Sequence, residues 1–142
     1  MQTFLPYADF KLTAQVLDYR RLGKQRVEAY QIVRVLDGTQ QSNAWHNHPA
    51  VLMWRDNLDA LKSYGREICL EWIRRGYNDN LITHFQHKPA PDMPAWLGDE
   101  RIHISHQANL VRKLPEHYRI HFPTVDETMP YHWPITKENL HG

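Results

Sequence analysis

Arg20, Arg21, Lys24 and Arg26, with Glu28 just behind them, are the densest group of chemically useful side chains in this 142-residue chain. Read as a helix, Arg21, Lys24, Gln25 and Glu28 follow the i, i+3, i+4, i+7 spacing and share one face. Cations around a single carboxylate suit an anionic polymer, with one group able to move a proton or stabilise a developing positive charge. An ordinary solvated face, its charges paired along the helix, gives the same pattern. Further cations stand at Arg74-Arg75 and at Arg112-Lys113.

Ten histidines and five tryptophans are many for this length. His46 with His48, His84 with His87, and His103 with His106 have spacings that invite a metal. Zinc needs three or four converging ligands, and the lone Cys69 adds little. The histidines read better as caps, hydrogen-bonding groups and phosphate contacts, with His46 or His48 also suited to carrying a proton. No metal or organic cofactor is expected. Trp45 stands just ahead of a helix, where it could wedge beside an unstacked base. Tyr131 and Trp133 lie in a proline-bounded tail and suit either packing on the body of the protein or stacking on DNA. No glycine-rich phosphate loop, Ser-His-Asp arrangement or dinucleotide fingerprint occurs, which argues against hydride transfer and nucleotide-driven phosphoryl transfer.

Three helices must position these groups. The first is predicted from Asp18, a good N-cap, to Asp37-Gly38, where glycine supplies the stop; Gly23 near its start permits a close backbone approach. The second starts at Pro49, capped by Asn47 or His48 after a polar loop over 38–47. Its apolar stripe, Val51, Trp54, Leu58, Leu61, Gly65, Ile68 and Trp72, carries it to Arg74-Arg75-Gly76 as a central spine on the order of 40 Å long. Pro89, Pro91 and Pro94 make 78–98 a loop. A third helix is predicted from Asp99 to Leu114, stopping before Pro115. Residues 1–12 read as an irregular arm, and the chain after Pro115 as an extended, proline-rich tail. Nothing alternates at period two, so the expected class is all-α: a compact three-helix single domain over 1–142.

A net charge of +1 makes no demand for nucleic acid; the local placement of cations does. No apolar run approaches the roughly 18–20 residues of a membrane span. The N-terminal residues lack the pattern of a signal peptide, so a cytoplasmic protein is expected. The single cysteine fits a reducing compartment and reads as a core residue.

Several stretches together resemble the pyrimidine-dimer DNA glycosylases. They are Met-Gln-Thr-Phe-Leu-Pro at the start, Tyr19-Arg20, Arg-Leu-Gly-Lys-Gln-Arg-Val-Glu ending at Glu28, and Asn-His-Pro-Ala from Asn47. Arg74-Arg75-Gly76-Tyr77, Leu97-Gly98-Asp99, a late Pro-Glu-His-Tyr and Pro-Tyr-x-Trp-Pro continue the likeness over nearly the whole chain, closest to the family's bacterial and phage branch. The resemblance implies a glycosylase with abasic-site lyase activity. In that chemistry a neutral N-terminal α-amine attacks the deoxyribose C1′ and forms an imine, while an acid stabilises the cationic sugar. An α-amine pKa of about 8 leaves a useful neutral fraction near neutrality. Nearby cations enlarge that fraction.

The sequence departs from the family pattern in two places. Gln2 is bulky where the family exposes a small hydroxyl residue, so Met1 is expected to be retained and to carry the amine. Arg21 stands where the family's catalytic acid follows Tyr-Arg, which leaves Glu28 as the nearest replacement and Lys24 as a second amine. The expected catalytic residues are therefore Met1, Glu28 and Lys24. The expected DNA contacts are Arg20, Arg21, Gln25, Arg26, Trp45, His46, His48, Arg112 and Lys113. The expected partner is double-stranded DNA bearing a damaged or modified base, met by a monomer without obligate protein partners. A non-catalytic nucleic-acid-binding module on the same scaffold, and a metal-dependent hydrolase using the histidines, stand as alternatives.

Overall fold

The computed structural model describes residues 1–40 and 45–135, all helix, turn and loop, with no strand among them. Part of the expected 38–47 loop and the end of the tail therefore lie outside the described residues. Three longer helices dominate: α2 (Tyr19–Leu36), α4 (Leu58–Arg74) and α5 (Glu100–Lys113). Short helices α1 (Phe10–Val16), α3 (Pro49–Leu52) and α6 (Pro115–Tyr118), with a 3-10 turn at Ile82–Phe85, complete the set. No helix among the described residues is long and apolar enough to cross a membrane.

The boundaries of α2 and α5 follow the sequence punctuation. Asp18 occupies the N-cap of α2, and Gly38 takes a φ of 82° just past its end. Asp99 caps α5 by accepting from the Arg101 N–H. The second helix differs from expectation: the stripe from Val51 to Trp72 is carried by two helices, broken at Met53–Asn57. Trp96 Nε1 donates to the Met53 carbonyl at 2.7 Å, withdrawing it from a helical ladder. Trp54, fully buried, donates its own Nε1 to Thr3 Oγ1 at 3.1 Å. Beyond the break α4 has 17 residues, about 26 Å of helix in place of the longer spine.

α1 was not expected, because seven residues carry too little periodicity to stand out. It buries Phe10, Thr13, Ala14 and Val16, and its Asp9 cap accepts from Leu12 N. Arg75 finishes it from a distance, its Nη2 donating to the carbonyls of Ala14, Gln15 and Leu17. α2 crosses α4 closely at Gly23: a Cβ there would lie 2.8 Å from the Trp72 ring. That is the close approach the sequence suggested. Cys69 is fully buried, as expected, and burial first, then Asp79, pushes its thiol up to about 12.

The N-terminal arm is irregular yet deeply placed. Residues Gln2 to Pro6 are all buried, and long-range side chains hold their backbone. His103 Nδ1 donates to the Leu5 carbonyl at 2.7 Å, and Leu5 N donates to His106 Nδ1 at 2.8 Å. Gln107 Nε2 reaches the Pro6 carbonyl, and the Tyr64 hydroxyl lies 2.8 Å from the Phe4 carbonyl. One turn of α5 thus grips the arm through two histidines spaced i, i+3. The His103 ring is completed by the Gly98 N–H donating to its Nε2.

Candidate active site

The arm delivers Met1 to a pocket of about 370 Å³ lined by Arg20, Arg21, Lys24, Gln25 and Glu28 of α2, Lys113 of α5, Gln2, Phe4 and Tyr131. Met1 and Glu28, two of the residues singled out from the sequence, therefore line one cavity. Gln25 holds them together. Its Nε2 donates to the Gln2 carbonyl at 2.9 Å and to Glu28 Oε2 at 2.7 Å. Its Oε1 accepts from Phe4 N at 2.9 Å and lies 2.7 Å from the Tyr64 hydroxyl. Both ends of this fully buried carboxamide are occupied, so the backbone just after Met1 and the Glu28 carboxylate are held through one side chain. Gln25 was expected to touch DNA; its burial and its four partners make it an internal clamp instead.

Glu28 is nearly buried, and Lys24 Nζ stands 3.9 Å from its Oε1 with the lysine side chain 73% exposed. Arg21 reaches back to Asp18 at 3.1 Å, and Arg20 is exposed with its Nε on the Tyr19 hydroxyl. Arg20, Arg21 and Lys113 also line an adjoining depression with Arg75 and His117, so cations border the carboxylate's pocket on that side. This arrangement can accept phosphates at its rim while keeping a carboxylate inside.

Arg26 departs from expectation. Its Nε donates to Asp79 Oδ1 at 2.7 Å and its guanidinium lies over the Trp72 ring at 5.0 Å, buried between α2 and the loop after α4. Burial alone would raise the Asp79 carboxyl, but the hydrogen bonds from Arg26 and Ile82 N bring it below the usual range. Arg26 thus joins elements of the fold and does not face the pocket. Arg112 also has a structural task, donating to the Glu127 and Met129 carbonyls and to Asn109 Oδ1 and so tethering the tail.

His48 caps α3, its Nδ1 accepting from Ala50 N at 3.0 Å. Burial lowers its pKa first, and the positive charge of the Met1 α-amine lowers it further. With Nδ1 accepting, the neutral ring carries its proton on Nε2, so it offers a donor and does not act as a base. His48 sits between Trp45 and Trp133 at ring separations of 5.9 and 6.0 Å. Trp45 is 49% exposed at a φ of 74°. The half-buried His46 accepts at its carbonyl from Arg55 Nη2. None of these aromatics lines the cavity.

Tyr131, whose place in the tail suits either packing on the body of the protein or stacking on DNA, forms a wall of the pocket. It packs on Phe4 and His106, and burial first, then Glu28, raises its hydroxyl while Gln2 and Arg112 oppose. No local signal marks it, because Phe4 and Gln2, which it meets, lie far from it in the chain. Among the described residues, no three His, Cys, Asp or Glu side chains converge as metal ligands. His103 and His106 spend ring nitrogens on Leu5.

A family model described as pyrimidine dimer DNA glycosylase matches residues 1–84. The chain belongs to that family. None of the curated proteins compared and none of the solved structures matches it. The matched span runs from the arm through α4 and contains Met1, Gln2, Arg20, Arg21, Lys24, Gln25 and Glu28, so most of the pocket lies within it. Lys113 and Tyr131 close the pocket from beyond the match.

Proposed function

We propose that this family member excises a damaged or modified base from double-stranded DNA, with the Met1 α-amine as nucleophile and Glu28 as the acidic partner, and then cleaves the strand as an abasic-site lyase. The observation that carries the reading is the pocket that Met1 and Glu28 both line, with Gln25 bonded to the Gln2 carbonyl on one side and to Glu28 on the other. Pinned backbone on one side and a held carboxylate on the other give the pre-set geometry that makes an attack effectively intramolecular.

The chemistry runs as follows. The amine lone pair forms the N–C1′ bond as the C1′–N bond to the base breaks; the base leaves with that electron pair and takes up a proton. The attacking nitrogen loses a proton. The C1′–O4′ bond then opens as C1′=N forms, O4′ is protonated, and the resulting iminium is the cation that Glu28 stabilises. Removal of a C2′ proton, also within the role of Glu28, expels the 3′-phosphate and breaks the strand. Arg20, Arg21 and Lys113 hold the flanking phosphates, and the target nucleotide is turned out of the stack to reach the cavity. A pyrimidine dimer is the substrate the family description suggests.

Lys24 ranks behind Met1 as the nucleophile because its side chain is mostly exposed, whereas the residue that follows Met1 is buried and anchored through its carbonyl to Gln25. Incubating the wild type and Glu28→Gln with dimer-bearing duplex, chelator present, tests the reading. Glutamine still accepts from Gln25, so Glu28→Gln should fold normally yet lose about 10²–10⁴-fold in rate. Equal, undetectable turnover by both proteins would favour a DNA-binding module that leaves lesions intact.

A further inference from the structure

The wall of the pocket holds a polar group that the proposed chemistry does not use. Gln2 is only 7% exposed, and its Oε1 accepts from Thr3 N at 2.9 Å, which fixes the orientation of the carboxamide. The other end, Nε2, has no hydrogen-bond partner among the described residues. The Tyr131 hydroxyl is a near neighbour, and a hydrogen-bonding interaction with the Gln2 side chain lowers its pKa; the contact nevertheless falls short of full hydrogen-bond geometry, so Nε2 keeps no complete partner. A buried donor left unpaired is costly, and proteins keep few of them. This one adjoins Met1 in the chain and lines the same cavity as Glu28.

Resting on the glycosylase reading, we propose that the Gln2 carboxamide reads the base being excised, donating through Nε2 to an uncharged oxygen acceptor such as a pyrimidine keto group. An amide donor is neutral, so it suits a carbonyl better than a phosphate, for which the pocket already has Arg20, Arg21 and Lys113. Gln2 lines the same cavity as Met1 and Glu28, so its amide borders the space that a nucleotide entering the site must fill. Tyr131 stands beside Gln2, so the acceptor reaches Nε2 past that ring. A site with an unpaired donor discriminates against ligands that lack the acceptor.

Two variants separate this role from simple support of the arm. Gln2→Leu removes the donor and keeps a bulky second residue, so Met1 stays in place, as intact mass will verify. Gln2→Glu keeps an acceptor for Thr3 N and also lacks the donor. Single-turnover rates are measured on a duplex bearing a thymine dimer and on one bearing an abasic site, which keeps sugar and phosphates but has no base. Both variants should lower the dimer-to-abasic rate ratio by about tenfold, the scale of one hydrogen bond to a buried group. An equal fall on both duplexes, or no fall, overturns the proposal. Should the wild type process neither duplex, the glycosylase reading itself fails. Fluorescence anisotropy on the same duplexes then decides the contact: a lost preference for the dimer supports it, and an unchanged preference overturns it.

Discussion

Replacing Gln25 by leucine should uncouple the amine from the acid more than it unfolds the protein. The substitution removes the partner of Phe4 N, Gln2 O, Glu28 Oε2 and the Tyr64 hydroxyl at once. Two of these keep company: Tyr64 still lies on the Phe4 carbonyl, and Glu28 still has Lys24. Phe4 N–H and the Gln2 carbonyl lose the contacts that hold them to α2. At about 1–3 kcal/mol for each stranded group, the cost is about 2–6 kcal/mol. That is a large share of the roughly 5–15 kcal/mol that holds a domain together. The protein has a cheaper response than unfolding, which is to let residues 1–4 leave α2 and regain water. His103, His106 and Gln107 still grip Leu5 and Pro6, so the loosened piece is the one carrying the amine. A displacement of about 1 Å at the reacting atoms is enough for a rate loss on the order of 10²-fold. The assay is single-turnover borohydride trapping on abasic duplex, run well below the melting midpoint, with thermal melting followed in parallel. Gln25→Glu is the companion: it retains an acceptor for Phe4 N but sets a second carboxyl against Glu28, so the pair must share a proton and activity should fall as pH rises. If Gln25→Leu traps DNA at the wild-type rate, the clamp does not position the amine and the reasoning fails.

Further predictions concern charge, acidity and packing. Lys113→Ala and Arg20→Ala should each reduce the slope of log K against log salt for duplex binding by about one, whereas Arg26→Ala should leave that slope unchanged. Arg26→Ala should instead lower stability by about 3–5 kcal/mol in urea melts, because it strands Asp79. Burial first, and His103 second, depress the His106 imidazole to about 3. Below its ordinary value of about 6.5 the unfolded chain binds a proton that the folded one refuses, so stability falls with pH through this range. Urea melts should show about 2 kcal/mol lost between pH 7 and pH 5, and His106→Gln, which keeps an acceptor for Leu5 N, should flatten that dependence. Gly23→Ala should lower stability by about 1–3 kcal/mol, since its Cβ meets the Trp72 ring, and a wild-type melting curve would contradict that contact.

What the sequence made legible was whatever is settled by near neighbours. Asp18 and Gly38 mark α2, Asp99 and Pro115 mark α5, and helical spacing places Lys24, Gln25 and Glu28 on one face. The break between α3 and α4 was hidden because Trp54 keeps facing the core across it, so the stripe looks unbroken. Its causes, Trp96 on the Met53 carbonyl and Thr3 on the Trp54 indole, are 43 and 51 residues away. Arg26 looked like its neighbouring cations because nothing local reveals Asp79, 53 residues on. Gln25 was placed on the correct face but with the wrong partner, since the arm it grips has no regular structure of its own to suggest that it is buried. Gln2 and Tyr131 meet only because the two ends of the chain converge on α5.

The identity of the nitrogen that joins the sugar can be measured outright. Wild-type protein is incubated with lesion-bearing duplex and borohydride, the adduct is digested with protease and nuclease, and the modified peptide is located by mass spectrometry. The reduced deoxyribose remnant should be on the α-amine of the peptide that begins at Met1. A remnant on Lys24, or no covalent adduct from a protein that still releases the base, would contradict attack by the chain's first residue.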